Sequence, residues 1–161
     1  MAEYSKVLSR LQMQCSKREY CSRDIMQKAL KAMEGDAEAA GRILEELRKD
    51  RFVDDLRYAA AFAREKSRLT GWGPVKISFA LTAKGIDRDT VREAIGEIDD
   101  ADAFRRMKSV LLAKWKFLRD DPQGRFKLLK FGLSRGYEYD VLSPVVDSIV
   151  KTDPDAFGSG E

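Results

Sequence analysis

Basic and aromatic side chains interleave between Phe104 and Tyr137, in "FRRMKSVLLAKWKFLRDDPQGRFKLLKFGLSRGY". From Phe104 to Arg135 there are ten Lys or Arg residues against two acids. Ammonium and guanidinium groups neutralise phosphates, and aromatic faces accept stacked bases. This mixture therefore suits a nucleic-acid backbone or an acidic protein groove. Lys114, Lys116 and Arg119 surround a helical stripe of Phe104, Met107, Leu111, Trp115 and Leu118, expected as core. Arg125, Lys127 and Lys130 flank Leu128 and Phe131. A solvated helix face is the plainer explanation of the same residues.

Covalent and acid–base chemistry has few candidates. The chain contains no histidine, which removes the usual general base and the commonest metal ligand. Its two cysteines, Cys15 and Cys21, are not spaced as Cys-x-x-Cys and have no second pair to complete a zinc site. They are expected to be reduced thiols near a helix end. Asp54 and Asp55 are the obvious acids for an enzyme, but they sit where a helix cap is needed. Neither Gly-rich phosphate-binding pattern is present. No catalytic residue, metal or cofactor is assigned.

The elements that must carry these residues read as helices almost throughout. The chain has 161 residues, 43% hydrophobic and 35% charged, with a net charge of +3. No apolar run approaches the roughly 20 residues of a membrane span, and the N-terminus lacks a signal-peptide core. A cytoplasmic monomer is expected. Helices are expected at about 3–14, 22–34, 37–49, 54–69, 74–84, 88–98, 101–119, 122–134 and 139–150. Ser22, Asp36 and Asp54 or Asp55 are cap candidates, Thr90 and Glu93 have capping-box spacing, and Pro74 and Pro122 suit first turns.

Shifting the sequence by 51 residues aligns Ser22 with Gly73 and Gly124. The same offset aligns Met26, Ile77 and Leu128, and then Leu30, Leu81 and Gly132. Farther along it aligns Ala40, Val91 and Leu142, then Leu44, Ile95 and Val146, then Leu47, Ile98 and Ile149. The repeat predicts an all-α protein of three tandem three-helix units, stacked into an elongated, curved array of undetermined hand. The units are 1–51, 52–99 and a basic 100–151, followed by a disordered acidic tail, 152–161.

The middle unit holds "TGWGPVKI" between its first two helices. Gly71 and Gly73 permit a turn and Pro74 starts the next helix. Trp72 either plugs that junction or faces a partner. In the helix after it, Ile77, Ala80, Leu81 and Lys84 share one face. Phe79 falls outside that face, and its equivalents at the 51 offset are Lys28 and Lys130, so it is either a contact residue or packed on a neighbouring unit.

The segment "RFVDDLRYAAAFAREKSRLTGWGPVKISFALTAKGID" closely resembles the signature region of the RecX family, bacterial regulators of the RecA recombinase. The resemblance is carried by Phe52, Asp54-Asp55, Arg57-Tyr58-Ala59 and Phe62. It continues through Gly71-Trp72-Gly73-Pro74, Ile77, Leu81 and Lys84-Gly85-Ile86, and covers residues 51–98. Upstream, "YCSRDIMQKAL" is similar to the family's Ser-initiated helix, although the following glycine, Gly35, stands one residue late. In the third unit, Gly132 replaces a usual Leu.

The resemblance implies tandem three-helix units and binding along the groove of the RecA–DNA filament. It implies inhibition of ATP hydrolysis and strand exchange, and so a part in DNA repair, recombination and the SOS response. It carries over no catalytic residues. Contact residues are assigned on charge and register: Arg68, Trp72, Lys76, Phe79, Lys84, Lys114, Lys116, Arg119, Arg125, Lys127, Lys130 and Arg135. The expected partners are the RecA filament and single- or double-stranded DNA, with no membrane or small-molecule substrate. A helical protein acting on bare DNA, and an Asp-dependent enzyme, are the competing readings.

Overall fold

The computed structural model describes residues 3–153. Among them the chain forms nine helices and no strand. These are α1 (Tyr4–Lys17), α2 (Ser22–Ala32), α3 (Ala37–Lys49), α4 (Asp55–Thr70), α5 (Pro74–Ala83), α6 (Arg88–Gly96), α7 (Asp100–Trp115), α8 (Gly124–Ser134) and α9 (Tyr139–Thr152). They divide into two compact units. One comprises Met1–Phe62 with Ala80–Ile95, the other Ala63–Phe79 with Gly96–Glu161.

In the first unit, α1, α2 and α3 enclose Val7, Leu11, Ile25, Ala29, Ala40, Ile43 and Leu47, with Val53 from the following turn. Leu11, Ile25, Ile43 and Leu47 are essentially inaccessible, and burial of each contributes about 2 kcal/mol. The 51-residue repeat puts Met26 and Leu30 in this core. The structure instead buries Ile25 and Ala29 completely and leaves Met26 and Leu30 half-buried. The cause is the α2–α3 connection, where Glu34 and Gly35 both take positive φ, 57° and 87°. One extra residue there restores the offset from Ala40 onward and shifts α2 by one position.

Caps follow local hydrogen-bonding chemistry. Asp36 accepts from Ala39 N at 3.0 Å, and Asp54 from Arg57 N at 3.0 Å, as expected. Ser22 is not a cap: Cys21 stands there without a side-chain bond. The Ser22 amide donates to Asp55 Oδ1 at 2.7 Å instead, so the fourth helix caps the second. The Thr90–Glu93 capping box does not form either. Asp87 caps α6, accepting from both the Thr90 amide and its hydroxyl at 2.9 Å. Those two bonds hold the Asp87 carboxyl below its ordinary pKa. Replacing Asp55 by Ala leaves the Ser22 amide without its acceptor and is expected to cost about 1–2 kcal/mol in urea titrations.

In the second unit, Met107, Leu111 and Trp115 of α7 pack with Leu128 and Leu129 of α8 and Leu142, Val145, Val146 and Ile149 of α9. Phe104, expected in this stripe, is 48% exposed. α7 ends at Trp115, not near 119, because the chain tightens: Leu118 N donates to Trp115 O at 2.9 Å. A Cβ on Gly124 would collide with the Leu118 carbonyl oxygen and come within 3.1 Å of the Trp115 ring, so only glycine fits at this position. Pro122 therefore lies in a turn, two residues before α8. α9 extends through Thr152, and Asp153 accepts from Trp115 Nε1 at 2.6 Å. The ordered chain thus continues past the expected boundary at 152. The rest of the expected tail, 154–161, lies outside the described residues.

Candidate functional site

The Gly-Trp-Gly-Pro segment is built into a backbone seam within the second unit. Gly73 N donates to Arg135 O at 2.7 Å, and Val75 N to Gly136 O at 2.9 Å. The buried Tyr137 hydroxyl donates to Gly71 O at 2.8 Å. A side chain at Gly73 would meet Gly136 O at 2.5 Å. Gly136 itself has φ +96°, and a Cβ there would collide with Lys76. The glycines thus allow two backbone segments to touch, and the loop has no room to cradle a phosphate.

This seam sets the direction of Trp72, which is half-buried. Lys66 Nζ of α4 and Lys76 Nζ of α5 lie 4.9 and 4.7 Å from its ring centroid. Both distances suit cation–π contact. Trp72 is therefore neither a sealed plug nor a bare contact residue: one part packs, and its ring gathers two ammonium groups. Lys66 belongs to this set although charge and register alone do not select it.

A second set surrounds Phe131. The Arg135 guanidinium is 3.9 Å from the position of a Cβ on Gly71 and 5.9 Å from the Phe131 ring. Lys114 Nζ is 5.2 Å from the same ring. Lys130 Nζ is 5.6 Å from the ring of the exposed Phe126. Arg135 Nε is buried with no hydrogen-bond partner. The structure thus brings together Trp72, Lys76, Lys114 and Arg135 of the assigned contacts, with Lys130 on the same helix as Phe131. Arg68 and Lys116 are exposed, and Phe79 is 78% exposed on α5.

Four assigned cations are committed to carboxylates. Arg119 pairs with Asp153 at 2.5 Å, Arg125 with Asp147 at 2.6 Å, and Lys127 with Asp121 at 2.5 Å. Lys84 lies in the other compact unit and pairs with Asp24 at 3.3 Å. Ion pairs of this kind add little stability, but they lower the positive potential available to a phosphate. Exposed apolar residues that charge reasoning overlooks include Leu69 and Phe117, 75% and 83% exposed. Their only signal in the sequence is an apolar side chain beside bases.

Cys15 and Cys21 are free and buried, and burial raises both thiol pKa values. Asp54 and Asp55 are occupied as caps. Among the described residues no group of three or more Cys, Asp or Glu could hold a metal ion, and no helix is long and apolar enough to cross a membrane.

Residues 54–95 match the family model of the second three-helix domain of RecX. Regulatory protein RecX of Prosthecochloris aestuarii is 30% identical over 114 residues, 70% of this chain and 74% of that protein. This chain belongs to the RecX family. RecX of Clostridium botulinum strain Alaska E43 is 32% identical over 115 residues, covering 69% of this chain and 53% of its own length. The chain spans between half and two thirds of the clostridial RecX proteins that it matches. A crystal structure of regulatory protein RecX aligns over 89% of this chain and 71% of its own, with a TM-score of 0.79 and 25% identity. RecX from Lactobacillus salivarius aligns over 91% and 96% with a TM-score of 0.77, and its 18% identity speaks to fold alone. The tandem three-helix plan is therefore that of RecX.

Proposed function

We propose that this RecX-family chain regulates the RecA recombinase by binding RecA–DNA filaments and inhibiting ATP hydrolysis and strand exchange. The observation that carries this reading is the presence of two cation–aromatic sets, Lys66–Trp72–Lys76 and Arg135–Phe131–Lys114, within one compact unit. Cations held against aromatic rings suit the phosphates and bases of an enclosed DNA strand. Exposed side chains on α5 and α8 recur at the 51-residue offset: Val75 with Phe126, and Phe79 with Lys130. Equivalent faces on successive units suit a partner whose sites also repeat, and each contact raises the effective concentration of the next.

The protein acts by binding, without turnover chemistry of its own, as a cytoplasmic monomer. The division into units 1–51, 52–99 and 100–151 belongs to this reading. Binding that favours one subunit spacing shifts the filament away from its active state.

The test is DNA-dependent ATP hydrolysis by RecA titrated with this protein, alongside its binding to bare DNA and to preformed filaments. Inhibition with at least tenfold preference for filaments is expected. Inhibition far below one molecule per subunit assigns end-capping, and near-stoichiometric inhibition assigns coating of the groove. Equal affinity for bare DNA, with unchanged hydrolysis, replaces this reading with that of a plain DNA-binding protein.

A further inference from the structure

Inside the second unit, polar side chains from three segments meet beside Gly71. Arg106 of α7 donates through Nη1 to Oγ of Ser67 on α4 at 3.0 Å, and Ser67 is only 5% exposed. Four residues after Arg106, Val110 packs on Gly71: a Cβ there would meet Val110 Cγ2 at 2.6 Å and Arg135 Nη2 at 3.9 Å. Gly71 O accepts from the buried Tyr137 hydroxyl at 2.8 Å. Ser67 precedes Gly71 by four residues, so the Arg106 and Arg135 guanidiniums stand about 6 Å apart along the line of α4. Burial raises the Tyr137 pKa and both guanidinium charges pull it down, because both lie near that hydroxyl.

This cluster holds more donors than acceptors. Arg135 Nε is buried without an acceptor, and its guanidinium otherwise lies 5.9 Å from the Phe131 ring. Arg106 uses one N–H on Ser67, whose hydroxyl accepts that bond and keeps its own proton to donate. Neither guanidinium has a carboxylate partner among the described residues. Arg119, Arg125 and Lys127 of the same unit are each paired with an aspartate. An anion would relieve both the orphaned N–H and the repulsion between two like charges. A planar carboxylate meets one guanidinium fork edge-on, whereas a tetrahedral phosphate offers oxygens to two forks at once.

We propose that Arg106 and Arg135 clasp one phosphate between them, with the Ser67 hydroxyl donating to a further oxygen. The clasp deepens the filament reading and rests on it for the source of the phosphate, a DNA backbone. Inorganic phosphate would be held by the same bonds.

The experiment follows the Arg135 Nε–Hε NMR signal in the full chain, assigned by its loss in Arg135→Lys, during titration with oligo(dT) and separately with inorganic phosphate. A downfield shift with oligo(dT) is expected as the orphaned N–H gains an acceptor. Arg106→Gln should weaken oligo(dT) binding about tenfold and lower the slope of log affinity against log salt by about 0.7. Arg105→Gln removes the same charge one residue earlier, where the side chain pairs with Asp102, and should leave affinity within about twofold and the slope unchanged. A shift with phosphate and none with oligo(dT) overturns the DNA assignment in favour of free phosphate. No shift with either overturns the clasp, as do equal losses in Arg105→Gln and Arg106→Gln. The signal is read on the parent chain, so it stays decisive if Arg106→Gln does not fold. RecA is absent from these measurements: a chain that binds oligo(dT) through the clasp without inhibiting RecA fails the filament reading alone.

Discussion

Replacing Gly73 by Ala is expected to unfold the second unit under conditions where the parent chain is folded, at a cost of about 3–5 kcal/mol. The added Cβ would lie 2.5 Å from Gly136 O, 2.6 Å from Gly136 C and 2.6 Å from Tyr137 Cδ1. Two of those atoms are backbone and have little freedom to yield. Gly136 O is already held by Val75 N at 2.9 Å, and the neighbouring Arg135 O by Gly73 N at 2.7 Å. Moving the 135–137 segment away breaks both bonds and withdraws Tyr137 from Gly71 O inside the unit. Urea titration followed by tryptophan fluorescence measures the loss, since Trp72 and Trp115 both lie in this unit. Gly41→Ala is the control: it lies inside α3 with nothing within 4 Å of the new methyl. That change is expected to be neutral or stabilising by up to about 1 kcal/mol. A Gly73→Ala protein within 1 kcal/mol of the parent would show that the seam is not a rigid backbone contact.

The same residues show what the sequence could and could not disclose. Helical periodicity and punctuation disclosed the elements, because the spacing of Ile43 and Leu47, or of Met107, Leu111 and Trp115, has one period whatever the tertiary partners. Asp36 and Asp54 were legible as caps because each acts within its own helix. Asp55 was not legible as a cap for Ser22, since that bond joins residues 33 apart. The one-residue slip of α2 had a trace in the late position of Gly35, but the positive φ at the non-glycine Glu34, which accommodates the extra residue, is not announced by composition. Gly71 and Gly73 read as turn formers, and their larger role, contact with the backbone at Gly136, is long-range. The contact residues separated for a related reason. Lys114, Lys127 and Arg125 are alike in sequence, and only the packed structure reveals which stand over rings and which face Asp121 or Asp147. The resemblance to RecX identified the family through residues that specify the fold, and so did not rank the cations.

That ranking has a direct consequence. The triple variant Lys76→Glu/Lys114→Glu/Lys130→Glu is expected to bind DNA-bearing filaments about 100-fold more weakly near 0.1 M salt. Each lysine stands over an aromatic ring, at 4.7, 5.2 and 5.6 Å from the centroid, where it can approach a phosphate while a base stacks nearby. Loss of three phosphate contacts should also flatten the dependence of log affinity on log salt by about 2 on single strands. The matched variant Lys84→Glu/Arg125→Glu/Lys127→Glu changes the net charge by the same amount but removes cations already paired with Asp24, Asp147 and Asp121. It should weaken binding by about tenfold at most, through long-range potential alone. Fluorescence anisotropy over a salt series, with circular dichroism to establish that both variants are folded, separates the two. Equal losses and equal salt slopes would mean that the filament senses only total charge, and the ring-supported lysines would no longer mark the contact surface.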